Sequence, residues 1–539
     1  DELAEDLNTL VGLSRLNKPP EPIKRSLIHF YSFDKRQNSK VKAGDKLQVL
    51  STDHKQKAEV YDIDYTQGTA SIKVGSKAEL GEYLNLVPDG PFNKKGMKRA
   101  IADFAEAWSA NPQLNNAFTK FLRMDPPEFN DGFTGSIVDP SQDILPQIID
   151  RCLQLNHSSL CIQGPPGAGK TYTASHIICE LIKQGYTVGI SSNSHKAINN
   201  LMAKAVQKVN KELGKRVYYK VDKTGGSDEL YEDETIQNIK QIDDIPDGYS
   251  IIGGTAFAFA REAAKGIVDY LFIDEAGQVA IANLCTMAFA AKNFIFMGDQ
   301  MQLAQPTQGT HPGKSGDSIL DFLLGEKPII PADMGILLPI SYRMHPSICQ
   351  IVSDMIYDSQ LKPAHDTSRL AIQGVNHPQI NREQGIIFVP VEHEGNSQAS
   401  EEEAEVVKEI YDALLGSSFL GKSQENDRPI SADDILIVSP YNFQVTKIKD
   451  ALGDDAKVGS VDKFQGQEAP IVIISMAASE GNSGRGADFL FSKNRMNVAI
   501  SRAQALVILV TNPNLAATFT GNVENMSLVN MFCRLISHQ

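Results

Sequence analysis

Hydrophobic and polar positions alternate with a period of two over residues 45–50, 58–65, 69–74 and 82–87, and Gly- and Asp-containing turns separate these stretches. The pattern predicts a small β-barrel. Residues 1–16 and 94–123 instead carry apolar side chains at helical spacing, the second stretch holding the single tryptophan, Trp108. Helices therefore flank the barrel in sequence, as a stalk would. Asp125-Pro126-Pro127 and the turn-rich residues 131–140 read as a linker. From about residue 136 the period changes. Continuous apolar runs at 159–163, 188–191, 250–252, 270–273 and 294–297 alternate with amphipathic stretches, the pattern of a parallel sheet covered by helices. A Gly/Pro/Ser-rich passage at 308–316 leads to a boundary near 335. A second series of buried strands follows at 386–389, 435–438, 471–475 and 506–510. Ser400-Glu401-Glu402-Glu403 forms a capping box opening a helix that runs to Leu415. The expected fold is α/β in three parts: barrel and stalk over 1–135, one parallel-sheet domain over 136–335 and another over 336–539.

Composition narrows the class. A chain of 539 residues is too long for one core. With 42% hydrophobic and 22% charged residues and no long apolar run, a soluble protein without a membrane span is expected. The acidic start Asp1-Glu2-Leu3-Ala4-Glu5 is no signal peptide, so the expected location is cytoplasmic; the missing initiator Met reads as a fragment or a processed piece. The six cysteines (152, 161, 179, 285, 349 and 533) contain no C-x-x-C pair, and neither zinc nor disulfides are expected. His176 and His195 read as ordinary polar or helix-start residues rather than metal ligands. A net charge of −14 argues against non-specific coating of nucleic acid but leaves room for a narrow channel lined by local charge. Two stretches are locally basic: Lys94, Lys95, Lys98 and Arg99, and then Lys196, Lys204, Lys208, Lys211, Lys215, Arg216, Lys220 and Lys223. An acidic run at 228–247 follows.

The sharpest chemical signal is Gly164-Pro165-Pro166-Gly167-Ala168-Gly169-Lys170-Thr171. It fits the phosphate-binding loop of nucleoside triphosphatases, between a strand and a helix as that loop requires. The glycines let backbone N–H groups turn inward on phosphates, and the helix start adds positive potential. Lys170 is placed for the β/γ-phosphates and Thr171 for Mg²⁺. The strand at 270–273 ends in Asp274-Glu275-Ala276-Gly277-Gln278: Asp274 is placed to hold the metal and Glu275 to polarise the attacking water. Gly298-Asp299-Gln300-Met301-Gln302-Leu303 places Gln302 to sense the γ-phosphate. Ser341-Tyr342-Arg343-Met344-His345-Pro346 and Asn497-Val498-Ala499-Ile500-Ser501-Arg502-Ala503 each offer one arginine for transition-state charge. Asp462-Lys463-Phe464-Gln465-Gly466-Gln467-Glu468 offers a glutamate and a flexible glycine.

With Ser439-Pro440-Tyr441-Asn442-Phe443-Gln444 and the segment from Ser460 to Glu468, these motifs form an ordered set. It resembles superfamily 1 helicases, in the 5′-to-3′ branch that contains the nonsense-mediated-decay helicase. The resemblance runs from about 138 to 512. Tyr172, Asn193-Ser194-His195-Lys196-Ala197 and Met301-Gln302-Leu303-Ala304-Gln305-Pro306 resemble the helicase half of bacterial and archaeal RecB-like nuclease–helicase fusions. Mild departures stand at Ala168, Ala304 and Ser501.

The resemblance implies two tandem RecA-like domains with a stalk-and-barrel insertion, ATP and Mg²⁺ as cofactors, and a monomer acting on single-stranded nucleic acid, DNA favoured over RNA. It implies that Gln142 reads adenine, that Tyr342 packs on the base, that Tyr172 belongs to the nucleotide site and that Glu468 binds ribose. It further implies that Arg343 and Arg502 reach the γ-phosphate across an interdomain cleft, and that Ser194, Thr255, Tyr441 and Ser460 touch the strand backbone. An upstream or separate nuclease domain is a further implied partner. Two alternatives are a nucleic-acid-stimulated ATPase switch and an RNA helicase without processive DNA unwinding.

Overall fold

The computed structural model describes residues 8–537 except 36, 38, 40, 51–55, 89–94, 223–234, 305–309, 454, 465 and 482–485. Lys94, Lys223, Gln305, Pro306, Gln465 and parts of the 1–16 and 228–247 stretches lie outside the described residues. The chain forms two compact units. One comprises Lys94–Ser368 with Lys493–Ser501, the other Asp1–Asn93, Arg369–Ser492 and Arg502–Gln539.

The barrel belongs to the second of these. Its strands are β1 (Leu10–Arg15), β2 (Glu21–Ile23), β3 (Ser26–Ser32), β4 (Lys46–Val49), β5 (Lys57–Asp64), β6 (Thr69–Gly75) and β7 (Tyr83–Pro88). They run in the order β1-β7-β4-β5-β6-β3-β2, every pair antiparallel, and β1 pairs back onto β3 to close a six-strand ring. Closure removes the sheet edges. Leu10, Leu13, Tyr31, Val60, Ile72 and Leu86 fill the interior. Residues 10–15 are therefore strand, where helical spacing predicts helix. The reason is a bulge: the register shifts between Leu10 and Leu13, and Gly12 takes φ +66°. One inserted residue puts both leucines inside at an interval of three, which imitates a helix.

The same unit contains a parallel sheet in which Gly385–Pro390, Ala503–Thr511, Ala469–Ser475, Ile435–Ser439 and Lys457–Ser460 are successive neighbours. Helices Glu401–Leu414 and Asn442–Leu452 bury Val407, Ile410, Val445 and Ile448 with this sheet in one core. A fully buried polar network sits at the strand ends. His393 Nε2 meets Glu403 Oε1 at 3.0 Å, and His393 Nδ1 meets Ser479 Oγ at 2.7 Å. Glu403 Oε2 also accepts from Ser475 Oγ and Ala477 N, so its buried charge is held by several donors.

The other unit carries an eight-stranded parallel sheet: β8 (Ser159–Gln163), β9 (Val188–Ser191), β10 (Tyr218–Val221), β11 (Ile236–Ile239), β12 (Ile251–Gly253), β13 (Val268–Ile273), β14 (Ala291–Gly298) and β15 (Gly335–Leu337), in the order β11-β10-β12-β9-β13-β14-β8-β15. Helix Lys95–Ala110, expected as stalk, packs here: Phe104 contacts Phe118 and Phe289, and Phe121 contacts Phe296 of β14. The units do not divide at 335. The 336–368 stretch and the helix Lys493–Ile500 join this sheet's unit because β15 pairs with β8 and because hydrogen bonds described below tie both segments to the loops above it.

Candidate nucleotide site

Strand order places the chemistry. Because β14 lies between β13 and β8, the loops after these three strands share one carboxyl edge, where parallel α/β sheets bind ligands. β8 runs into the phosphate loop and helix Lys170–Lys183, β13 into Asp274-Glu275, and β14 into Asp299 to Gln302. Gly298 O accepts from Gly164 N at 2.9 Å, and Ser191 O accepts from Asp274 N at 2.8 Å, so neighbouring loops leave the sheet already joined.

The phosphate loop takes its shape from Gly167 (φ +73°) and Gly169 (φ +77°), in the left-handed region that only glycine enters without strain. Lys170 Nζ donates to Gly164 O at 2.7 Å, so the ammonium lies folded over the loop. The segment after β15 is laid along the same loop: Tyr342 N donates to Gly167 O at 2.9 Å and Ser341 Oγ to Pro166 O at 3.1 Å. Contact is so close that a Cβ on Gly167 would lie 2.6 Å from Arg343 Cβ. Arg343 Nη1 donates to Ser501 O at 2.9 Å, a carbonyl at the end of helix Lys493–Ile500.

Beside the loop lies a pocket of about 620 Å³ lined by Gln142, Ile144, Ala168, Tyr172, Leu338 and Tyr342, among others. Tyr172 and Tyr342 are 61% and 52% exposed, which leaves both rings open to a flat ligand. Gln142 is exposed at the pocket, its amide donating to Asp139 Oδ2 at 3.0 Å.

The carboxylates are perturbed. Burial first, then the adjacent Glu275 charge, push the Asp274 carboxyl up to about 7 against the pull of Lys170. Glu275 sits at φ +53°, a conformation a β-substituted residue adopts at a cost and one that clusters at functional sites. Asp299 is buried, and burial holds its carboxyl above the ordinary range despite Lys170 and three hydrogen bonds. Those bonds come from Tyr357 Oη at 2.6 Å, Gln302 Nε2 at 3.0 Å and Met301 N at 3.2 Å. Asn497 Nδ2 donates to Met301 O and Tyr357 Oη, and Asn494 Nδ2 to Gln300 O and Gln302 O. Gln302 is thus held at its side chain by neighbouring Asp299 and at its carbonyl by the distant Asn494.

The expected strand contacts fall in two groups. Ser194 is exposed and Thr255 half-buried at the carboxyl ends of β9 and β12, which are paired neighbours. In the other unit Tyr441 follows the strand Ile435–Ser439, and Ser460 is the buried last residue of its paired neighbour Lys457–Ser460. Tyr441 is buried with its ring against Phe489, so its side chain is not presented to a ligand. Arg502 is buried there and donates to Gln467 O at 3.1 Å, while Glu468 accepts from Gln504 at 3.0 Å. Arg343 lies with the phosphate loop; Arg502 and Glu468 lie in the unit without it.

Residues 149–308 and 318–514 each match an AAA domain family, and together these matches span more than half of the chain. The chain is 23% identical over 457 residues to the DNA replication ATP-dependent helicase/nuclease DNA2 of Gallus gallus, which covers 83% of this chain and 42% of the relative. It is 25% identical over 397 residues to the Regulator of nonsense transcripts 1 homolog of Drosophila melanogaster (66% and 33%). The chain belongs to the superfamily 1 helicases, in the branch of the nonsense-mediated-decay helicase. It is also 24% identical over 415 residues to the DNA polymerase alpha-associated DNA helicase A of Schizosaccharomyces pombe (66% and 61%). The chain thus spans less than two thirds of the length of each of these relatives.

For this superfamily 1 chain, sequence reasoning missed Tyr357, Asn494 and the role of Asp299. Asp299 lies beside Gly298 at a strand end within 298–303, a mark that the sequence does carry. Tyr357 and Asn494 carry no local mark, since their partners lie 58 and more than 190 positions away.

Proposed function

We propose that this chain is an ATP-driven helicase motor that moves 5′-to-3′ along single-stranded DNA. The observation that carries the reading is the convergence of Lys170, Asp274-Glu275, Gln302 and Arg343 at three neighbouring strand ends, beside a pocket walled by Tyr172 and Tyr342. In this reading the pocket takes the adenine. The loop N–H groups take the phosphates, and Lys170 exchanges Gly164 O for a phosphate oxygen. Glu275 accepts the proton of the attacking water. Arg343 exchanges Ser501 O for the γ-phosphate. A hydroxyl and a carboxylate make a hard oxygen donor set, the kind that suits a hard cation. Thr171 and Asp274 would hold Mg²⁺, which when bound neutralises phosphate charge.

Ser194 and Thr255, at neighbouring strand ends, supply grips on the strand backbone, which carry little sequence preference. The helicase/nuclease relative supports DNA as the strand and a nuclease domain elsewhere in a longer protein. The nonsense-transcript relative makes RNA the necessary control.

The test is ATP turnover with single-stranded DNA, single-stranded RNA or neither, followed by duplexes with a 5′ or a 3′ tail. Expected are DNA stimulation, loss of turnover in Lys170→Ala, and ATP-dependent separation of the 5′-tailed duplex. Separation confined to the 3′-tailed duplex overturns the direction, and stimulation by RNA alone overturns the substrate. Turnover indifferent to both strands overturns the motor.

A further inference from the structure

One charged surface is not used by this reading. Helix His195–Leu213 buries Ile198, Leu201, Met202, Ala205, Val206 and Val209. At about 100° per residue, Lys196, Asn200, Lys204, Gln207, Lys208 and Lys211 fall within an arc of about 120° on the opposite side. The single acidic residue of the helix, Glu212, lies outside that arc and pairs with Lys208 at 2.5 Å. Lys196, Lys204 and Lys211 are exposed, and among the described residues no carboxylate pairs with them. Lys215 and Arg216, both exposed, extend the stripe past the helix end.

A face whose only charged side chains are lysines is unexpected on a chain of net charge −14. Solubility does not require it, and the packing of the helix does not use it. The stripe begins two residues after Ser194, the N-cap of this same helix. We propose that Lys196, Lys204 and Lys211 form a track for the phosphate backbone of single-stranded nucleic acid, continuing the path that starts at Ser194. The track is about 22 Å long, from a rise of 1.5 Å per residue over the lysine positions. That is several nucleotides of strand beyond those gripped at the strand ends. The inference rests on the nucleic-acid reading above and adds a second, electrostatic segment to it. Lysines here act as point charges on phosphate, so the track reads charge and not base sequence.

The experiment compares the wild-type chain with the triple variant Lys196→Gln/Lys204→Gln/Lys211→Gln. Gln and Lys have similar helix propensity, so the helix is retained, and ATP turnover without nucleic acid reports that the fold is intact. Affinity for short and long fluorescent single strands is measured across a salt series. Each phosphate contact contributes about 0.7 to the slope of log affinity against log salt for single strands. The triple variant is expected to lower the slope on the long strand by about two and to leave short-strand binding within about twofold. An unchanged slope on the long strand, beside salt-sensitive wild-type binding, overturns the track and leaves the motor standing. A wild-type chain that binds no strand at any salt overturns the motor reading and the track with it.

Discussion

The Tyr357 hydroxyl donates to Asp299 Oδ2 at 2.6 Å, and the same hydroxyl accepts from Asn497 Nδ2 at 2.8 Å. Through this one oxygen the helix Pro346–Ile356, the loop after β14 and the helix Lys493–Ile500 share a buried contact. Gln302 hangs from the same Asp299 oxygen. The residue proposed to sense the γ-phosphate is therefore oriented by a buried acid whose own position depends on a tyrosine.

Tyr357→Phe tests this dependence. The hydroxyl donates to a buried carboxylate, and leaving a buried polar group short of a partner costs about 1–3 kcal/mol. Asp299 sits above the ordinary carboxylate range, so its contribution to stability is complete below about pH 4 and is lost as pH rises through its native value. Removing a hydrogen bond that lowers that value extends the loss to higher pH. Denaturant unfolding across pH should show a longer decline in Tyr357→Phe and a shallower one in Asp299→Asn. Turnover should fall in Tyr357→Phe with little change in the KM for ATP.

Glu275 separates strain from chemistry. Glu275→Gln keeps the left-handed backbone and removes the proposed base, so ATP should bind without turnover. Glu275→Gly should also abolish turnover but gain about 1–2 kcal/mol of stability, since glycine holds φ +53° without penalty. Equal melting of the two variants would show that the neighbouring hydrogen bonds, and not strain, set the local energy.

Gly167→Ala should break the seat of the arginine segment. A Cβ would meet Arg343 Cβ at 2.6 Å and Ser341 Oγ at 2.9 Å, on a backbone at φ +73°. Relief requires moving Ser341 to Arg343 off the loop and losing the Tyr342 N–Gly167 O bond. Turnover should fall by more than tenfold together with ATP affinity. Full turnover in Gly167→Ala would show that Arg343 works from another position.

The two pocket tyrosines should act on nucleotide affinity alone. Stacking an aromatic ring on a base contributes about 1–3 kcal/mol per base. Tyr342→Ala and Tyr172→Ala should each raise the KM for ATP by about five- to hundredfold while turnover at saturation stays near wild type. The same variants should leave tripolyphosphate inhibition unchanged, because that ligand has no base to stack.

The amino-acid sequence by itself determined the phosphate loop, the Asp274-Glu275 pair and the paired-strand periods. Each is written within a few consecutive residues, where backbone geometry and local burial repeat on a fixed interval. It misled at Leu10–Arg15, where one bulged glycine turned a strand period into a helical one. Only the tertiary structure decided that Ser341 to Arg343 lie along the phosphate loop, and that Asn494 and Asn497 fasten the loop after β14. It also decided that Tyr357 orients Asp299, and that Lys196, Lys204 and Lys211 face outward with no acid pairing them among the described residues. These relations join segments far apart in the chain. Their cause is the strand order β13-β14-β8 and the return of the chain to that edge, a long-range closure that no local period records.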